Sequence, residues 1–216
     1  MDKSKRQFLG KMASVSVGAA LIPVVQVQAQ QTEPAPTGKR YGMVINLRRC
    51  VGCQACTIAC QIHNELPEDV RFRKVDRYEV PRDDGAIDVW LSHSCMHCGN
   101  PACLIACPAQ AYTVRSDGLV VLNRDKCTGC GLCVSACPYD AVVMLKTDGK
   151  AAKCNMCIEL IDQGLKPACV DGCPVKCLDT DRINQLLAQK PSVSKQGIGY
   201  GNCVTKPNMV IVKERL

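Results

Sequence analysis

The residues of this chain whose types and spacing could do chemistry are its cysteines, 18 in 216 residues. Thiolates can act as nucleophiles, disulfide partners or soft metal ligands. Sixteen of them fall into four groups, which we call motifs I to IV. The motifs are Cys50, Cys53, Cys56, Cys60; Cys95, Cys98, Cys103, Cys107; Cys127, Cys130, Cys133, Cys137; and Cys154, Cys157, Cys169, Cys173. Cysteines repeated at such short intervals predict a metal–sulfur protein.

The spacing within the motifs indicates which metal–sulfur group is bound. Motifs I and III follow the C-x2-C-x2-C-x3-C rule of bacterial ferredoxins, motif II has a wider middle gap, and motif IV separates Cys157 from Cys169. In this rule three cysteines bind one [4Fe-4S] cluster and the fourth, often followed by proline, binds another. Motifs II to IV end in Cys-Pro. We therefore predict four [4Fe-4S] clusters, an electron-transfer function, and crossing ligands at Cys60, Cys107, Cys137 and Cys173.

Other uses of cysteine fit the pattern less well. Disulfide frameworks are typical of short secreted chains, and this chain is too long to need one. Structural zinc uses two separated pairs and has no use for a third and fourth cysteine directly downstream. His97 is expected to tune a cluster as a neighbour, because the matching half of a Rieske site is missing. Cys177 and Cys203 are expected to be buried thiols or a mutual disulfide, and Cys177 is the one candidate substitute ligand.

The N-terminal residues 1–29 predict a twin-arginine-type signal peptide. A basic start precedes a moderately apolar run over residues 12–27, and Ala29 offers a small residue for cleavage. Residues 4–9, Ser-Lys-Arg-Gln-Phe-Leu, resemble the S-R-R-x-F-L export motif, with Lys5 in place of the first arginine. An ordinary secretory signal is the alternative. Clusters assembled in the cytoplasm require export of a folded chain, so we expect a periplasmic protein.

The remaining chain predicts an α+β protein with a duplicated bacterial ferredoxin-like fold, two cluster pairs in all. We expect a solvated linker over 30–40 and a four-cluster domain over 41–180, opened by a strand at 41–47. Short β-hairpins are predicted at 111–122 and after 142–145. Residues 61–94 are an insertion after the first motif that we expect to form partner surface. Residues 181–216 are expected to form a helix over 181–190, ended by Pro191, and a C-terminal tail that lies on the domain or on another subunit.

Composition excludes several classes of function. Aromatic residues make up only 4% of the chain, so cluster binding must supply much of the folding free energy. Of the formal net charge of +7, the signal peptide carries four basic residues and one acid, which leaves the mature chain near +4. Four oxidised clusters contribute about −8, so we predict a mildly acidic holoprotein and no nucleic-acid partner. No apolar run after residue 29 is long enough to span a bilayer. Membrane association is therefore expected through a partner subunit.

The motifs CVGCQACTIAC, CMHCGNPACLIAC, CTGCGLCVSACP and CNMC…CVDGCP resemble the iron–sulfur subunit of the dimethyl-sulfoxide-reductase family of molybdoenzymes. The resemblance covers nearly all of residues 41–180. It implies that motif I shares a cluster pair with motif IV (residues 41–94 and 154–180), and motif II with motif III (residues 95–153). The implied ligand sets are Cys50, Cys53, Cys56 and Cys173; Cys154, Cys157, Cys169 and Cys60; Cys95, Cys98, Cys103 and Cys137; and Cys127, Cys130, Cys133 and Cys107.

The resemblance also implies partners: a molybdopterin catalytic subunit and a quinone-reactive membrane subunit of a respiratory reductase acting on tetrathionate, a sulfoxide or another sulfur compound or oxyanion. An alternative resemblance is to the iron–sulfur subunit of a quinol dehydrogenase that feeds a multihaem cytochrome c nitrite or sulfite reductase, to which residues 185–191 are closer. A free-standing polyferredoxin is a third interpretation, for which the insertion and tail have no purpose.

Motifs for catalysis are missing from the sequence. The glycine-rich residues 197–201 lack the strand and helix of a dinucleotide site. The neighbours Ser92 and His93 are expected to have core or solvated roles instead of forming a catalytic dyad. We therefore expect a non-catalytic electron-transfer subunit with no catalytic residue.

Overall fold

The computed structural model describes residues 40–189, 193–194 and 205–212. The predicted signal peptide, most of the predicted linker, Pro191, the glycine-rich residues 197–201 and Cys203 lie outside the described residues. No helix in the described ranges is long and apolar enough to cross a membrane.

Short helices and strands alternate along the chain, as the α+β prediction requires. In chain order the elements are β1 (Tyr41–Asn46), α1 (Ala55–His63), β2 (Lys74–Arg82), β3 (Gly85–His93), α2 (Ala102–Ile105), β4 (Tyr112–Val114), β5 (Val120–Leu122), α3 (Leu132–Ala136), β6 (Val142–Met144), β7 (Ala151–Lys153), α4 (Ile158–Ile161), α5 (Ala168–Asp171), β8 (Leu178–Arg182), α6 (Ile183–Gln189), β9 (Val193–Ser194) and β10 (Met209–Val212). Each of α1, α2, α3 and α5 contains cysteines of one motif.

A four-stranded sheet of order β8-β1-β10-β9 joins the two ends of the described chain. Strand β1 pairs antiparallel with β8 and parallel with β10, with Val44 opposite Val210. Both valines are fully buried. Residues 209–212 of the predicted tail lie on the domain as strand β10, because an apolar run of four residues is stabilised by burial against an apolar strand.

The predicted helix over residues 181–190 begins two residues late. Asp181 and Arg182 continue β8, where they pair with Gly42 and Tyr41. Helix α6 then runs from Ile183 to Gln189. The sheet hydrogen bonds explain the shift, since they hold the first two residues of the predicted helix in an extended conformation.

Two short hairpins follow motifs II and III, as predicted. Strands β4 and β5 pair over three residues each, and so do β6 and β7. Their connections contain Gly118 and Gly149, whose φ values of 81° and 68° favour glycine. These hairpins are local features, and their turn residues were sufficient to locate them.

The insertion after motif I forms a longer hairpin. Strands β2 and β3 pair from Lys74 opposite His93 to Arg82 opposite Gly85. Near the base of the hairpin Val89 and Leu91 are buried, whereas most residues towards its outer end are exposed. The insertion therefore contributes to the core at one end. Its use as partner surface stays a prediction.

The core is built largely from cysteines and aliphatic residues. Its main apolar cluster includes Cys56, Cys60, Cys154, Cys169 and Cys173. Arg40, predicted to end a solvated linker, is also buried, and its side chain lies against Gly99 and Gly118. The solvated linker therefore does not extend to residue 40.

Close packing between motif I and motif IV gives a testable prediction. A Cβ atom at Gly172, which follows α5, would lie 2.7 Å from the Cβ of Ala59 and 3.1 Å from the carbonyl oxygen of Ala168. Its φ of −71° is ordinary, so the constraint is steric. We expect Gly172→Ala to lower the free energy of unfolding by about 1–3 kcal/mol. Loss of visible cluster absorbance at a lower temperature would report it.

The control for this prediction is the double variant Gly172→Ala with Ala59→Gly. Removing the Ala59 Cβ relieves the contact, so part of the lost stability should return despite the cost of a helical glycine, about 0.5–1 kcal/mol. If Gly172→Ala lost its cluster absorbance at the same temperature as the wild type, the packing argument would be wrong.

Candidate iron–sulfur sites

All four motifs share one backbone feature. The residue two positions after the first cysteine has positive φ in each: 71° at Gly52, 41° at His97, 74° at Gly129 and 67° at Met156. Left-handed residues in a turn direct backbone N–H groups into a concavity that binds anions, including iron–sulfur centres. His97 and Met156 adopt this conformation without being glycine, at a cost in backbone strain. Motifs II and IV therefore keep the backbone of motifs I and III despite their altered spacing.

Backbone N–H groups also donate hydrogen bonds directly to motif sulfurs. The N···Sγ distances are 3.3 Å from Met156 to Cys154, 3.3 Å from Cys177 to Cys173, 3.4 Å from Ala111 to Cys107 and 3.4 Å from Ala151 to Cys127. The last two donors lie at the short hairpins, which were predicted to cover the clusters. Hydrogen bonds to thiolates favour the charged form and adjust cluster potentials.

Motif I lies against motif IV. Helices α1 and α5 pack together at Ala59 and Gly172. Burial, together with the charges of Cys154, Cys169 and Cys157, raises the pKa of the Cys60 thiol. These four cysteines form one of the predicted ligand sets, so the fold brings a motif I cysteine to the three cysteines of motif IV.

Motif II lies against motif III through helices α2 and α3. Burial, followed by the charges of Cys95, Cys137 and Cys98, raises the pKa of the Cys103 thiol to about 12. Those four cysteines form a second predicted set. The other predicted set shared by motifs II and III contains Cys107, Cys127 and Cys133. Cys107 and Cys127 pack against an apolar cluster that includes Cys133.

The two pairs adjoin at the main apolar cluster, which contains Cys154 and against which Cys95 packs. Burial, and next the charge of Cys95, raises the pKa of the Cys154 thiol to about 11. Cys154 belongs to the motif I–IV pair and Cys95 to the motif II–III pair. The predicted ligand sets therefore form a continuous series through the molecule.

The donor set fits iron–sulfur clusters. The structure describes all sixteen motif cysteines, and each is a free thiol with no disulfide bond. Thiolate groups of four surrounded by amide donors suit [4Fe-4S] binding. Metal binding displaces the protons that burial holds on thiols such as Cys103 and Cys154, so cluster formation is coupled to proton release.

Cys177, left outside the motifs by sequence reasoning, lies beside them. It is 4% exposed, and its Sγ atom is 3.4 Å from that of Cys173. Interaction with the Cys50 side chain raises the pKa of the Cys177 thiol. The buried free thiol expected for Cys177 is confirmed, and it contacts two members of one predicted ligand set. Cys203, the alternative disulfide partner of Cys177, lies outside the described residues.

Three polar residues considered in the sequence analysis, His97, Ser92 and His93, have different surroundings. His97 is fully buried, its Nδ1 accepts a hydrogen bond from the Val120 N–H at 3.1 Å, and burial holds its pKa well below the usual value. The Ser92 Oγ lies 3.3 Å from the Cys56 Sγ, whereas His93 pairs with Asp76 at 2.7 Å. Ser92 and His93 thus form no dyad. The contact of Ser92 with a cysteine had no signal in the sequence.

Comparison with known proteins agrees with this geometry. Two family patterns, each described as a 4Fe-4S dicluster domain, match residues 42–108 and 88–182. The B subunit of tetrathionate reductase from Salmonella typhimurium is 41% identical over 80% of this chain and 71% of its own length. This protein belongs to the dimethyl-sulfoxide-reductase family of iron–sulfur subunits. It is also 37% identical to the B subunit of anaerobic dimethyl sulfoxide reductase from Escherichia coli, over 80% of this chain and 88% of that one.

A further family member, the B subunit of polysulfide reductase from Wolinella succinogenes, is 36% identical over 82% of this chain and 96% of its own length. The chain is an iron–sulfur electron-transfer subunit of the kind found in such reductase complexes, with tandem dicluster domains and four [4Fe-4S] clusters. The predicted family and cofactors are confirmed. The ligand of each individual cluster stays a prediction.

The neighbours Cys173 and Cys177 allow the ligand assignment to be tested. We expect Cys177→Ser to retain all four clusters and Cys173→Ala to lose one, because only Cys173 occupies a motif position. Iron analysis and electron paramagnetic resonance (EPR) spectra of the anaerobically purified variants would measure this. A full set of clusters in Cys173→Ala would instead identify Cys177 as a substitute ligand.

Proposed function

We propose that this chain relays electrons between a quinone-reactive membrane subunit and a molybdopterin catalytic subunit of a periplasmic respiratory reductase. The substrate class is a sulfur compound or oxyanion of the tetrathionate or sulfoxide type. The main observation supporting the proposal is the exposure of two cysteines, Cys53 and Cys130, at the two ends of the series of ligand sets.

The four predicted ligand sets follow one another in a definite order through the molecule. At one end, the set containing Cys53 pairs with the set containing Cys154. The Cys154 set lies next to the set containing Cys95. The Cys95 set in turn pairs with the set containing Cys130, which forms the other end. Cys53 and Cys130 are the exposed cysteines among the described residues. An electron relay between two partners needs this arrangement, in which the inner ligand sets have no exposed cysteine and each end set has one.

Exposed apolar side chains accompany both ends. Val51 is 58% exposed beside Cys53, and Leu132 is 51% exposed beside Cys130. Apolar groups at the centre of a protein interface contribute most of its affinity. Two docking surfaces, one at each end, are therefore part of the proposal.

The relatives support the choice of substrate class. Their names assign them to tetrathionate, dimethyl sulfoxide and polysulfide reductases. All three names contain a sulfur compound, and the similarity extends over four-fifths of this chain. We infer a sulfur-compound reductase on this basis.

The test is purification of the native complex under anaerobic conditions, followed by molybdenum and c-type haem analysis of the same sample. Stoichiometric molybdenum is expected. Haem without molybdenum would overturn the proposal in favour of the quinol dehydrogenase that feeds a multihaem cytochrome. The isolated chain with neither group would point to a free polyferredoxin.

We also propose that the twin-arginine route exports the protein in its folded, cluster-loaded form. The proposal is supported by the motif at residues 4–9 and by the need to assemble clusters before export. Accumulation of the precursor in cells lacking the twin-arginine machinery is expected. Normal export in those cells would contradict it.

The two docking surfaces can be separated by mutation. We expect Val51→Glu and Leu132→Glu each to weaken binding to one partner about tenfold, because a buried interfacial charge without a counter-charge is costly. Copurification of each partner with the tagged variant would measure the loss, with iron content as the check on cluster binding.

Leu165→Glu is the matched control for these variants. Leu165 is 55% exposed and belongs to neither end of the series. Both partners should copurify with it as with the wild type. If all three variants lost the same partner, the assignment of one surface to each end would be wrong.

A further inference from the structure

Every buried charged side chain in the described residues is positive. Arg40, Arg73 and Lys153 are buried, whereas all described aspartates and glutamates are at least partly exposed. None of the three cations forms an ion pair with a described carboxylate. A buried charge is costly unless another charge compensates it. The core therefore requires negative charge from a source other than carboxylates.

Arg73 is the most deeply buried of these cations. It is 1% exposed and lies just before β2, at the base of the insertion hairpin. Its two terminal nitrogens donate hydrogen bonds to Ser92 Oγ and Ser94 Oγ, both at 3.0 Å. Both partners are neutral, so these bonds orient the guanidinium group without neutralising it.

The charged groups that act on Arg73 are cysteines of a single cluster pair. Ser92, which it contacts, also lies 3.3 Å from the Cys56 Sγ. Burial lowers the pKa of Arg73, but Cys169, Cys154, Cys56 and Cys60 outweigh burial and raise it when they are ionised, as cluster ligands are. These cysteines come from motifs I and IV alone. The positive charge is thus directed at the motif I–IV pair.

We propose that Arg73 is the buried counter-charge that sets the reduction potentials of the two clusters held by motifs I and IV. A fixed positive charge in a medium of low dielectric constant stabilises an added electron nearby. Cluster potentials respond to the charge and hydrogen bonding around the ligands. The insertion hairpin therefore supplies a tuning residue to the interior. The proposal rests on the electron-transfer role and is independent of the identity of the partners.

The chain contains a matched control at Arg40. Arg40 is also buried, but the cysteine whose charge acts on it is Cys98 of motif II, and its guanidinium donates to the His97 carbonyl at 3.5 Å. Arg40→Met removes the same charge from the other side of the core. Variants at the two arginines should thus affect different clusters.

The test is a redox titration of the holoprotein monitored by EPR, with iron analysis, for wild type, Arg73→Met, Arg73→Lys and Arg40→Met. In Arg73→Met we expect two of the four midpoint potentials to become more negative, by at least about a tenfold change in the reduction equilibrium, or ~59 mV for one electron. Arg73→Lys should stay close to wild type because it keeps the charge. Arg40→Met should shift a different subset.

Loss of clusters in the Arg73 variants also tests the proposal. If Arg73→Met loses the motif I–IV clusters while Arg73→Lys keeps all four, the charge is required and the proposal stands. Equal cluster loss in both variants would mean that Arg73 acts by packing, which overturns it. Unchanged potentials in a fully loaded Arg73→Met would overturn it too, as would identical shifts in Arg73→Met and Arg40→Met.

Discussion

Anaerobic removal of iron is expected to unfold most of the described chain. The elements around the motifs are too short to persist alone, because α2, α4 and α5 have four residues each and β4 to β7 three each. Isolated helices shorter than about 12 residues are marginal in water, and so are isolated two-stranded hairpins. Cluster binding must therefore supply much of the folding free energy.

The buried cations strengthen this expectation. Arg40, Arg73 and Lys153 would lose their compensating charge together with the clusters. Burial also keeps several free thiols protonated, since it raises the pKa of Cys154 to about 11 and that of Cys103 to about 12. The apoprotein would thus bury unpaired positive charge with nothing to offset it.

Far-UV circular dichroism and limited proteolysis during chelation would measure the unfolding. Most of the ellipticity and protease resistance should be lost as iron is removed, and anaerobic addition of iron and sulfide should restore both. A sample incubated without chelator is the control. An apoprotein that kept the native spectrum would show that apolar packing alone holds the fold.

Replacing Cys60 by serine is expected to remove one cluster and interrupt electron transfer. Cys60 is 5% exposed, and the charges of Cys154, Cys157 and Cys169 contribute to the raised pKa of its thiol. Serine is a poor ligand for iron in a thiolate set. We expect about a quarter of the iron to be lost, and electron transfer through the assembled complex to fall to background, because an inner centre is missing.

Cys177→Ser is the matched control for Cys60→Ser. Cys177 is equally buried, at 4% exposure, but lies outside the motifs. It should retain all the iron and nearly all of the electron-transfer rate through the complex. Iron analysis and the rate of reduction of the complex by a quinol analogue would compare the two variants. Full iron in Cys60→Ser would show that the predicted crossing from motif I to motif IV is wrong.

Features that depend on local sequence were predicted well. The short hairpins at β4–β5 and β6–β7 follow from apolar triplets on either side of turn residues such as Gly118 and Gly149. Strand β1 was predicted to within one residue of its end. The four clusters follow from cysteine intervals, because iron–sulfur ligation imposes strict spacing on nearby thiolates.

Features that depend on distant contacts were missed or misplaced. Residues 209–212 were predicted as tail, yet β10 pairs in parallel with β1, more than 160 residues earlier in the chain. The apolar residues of β10 are compatible with a strand or with an irregular tail when the partner strand is not known. Arg73 and Arg40 had no signal, because arginine is mostly exposed unless a compensating charge is buried with it.

The sequence by itself determined the chemistry of this protein. Its cysteine spacing specifies the number and type of clusters, since ligand spacing is a local property of the chain. Only the tertiary structure decided which groups surround those clusters. Cys177 interacts with Cys50, Ser92 contacts Cys56, and Arg73 lies near cysteines of motifs I and IV. These contacts join residues far apart in sequence, and the burial of the whole core brings them together.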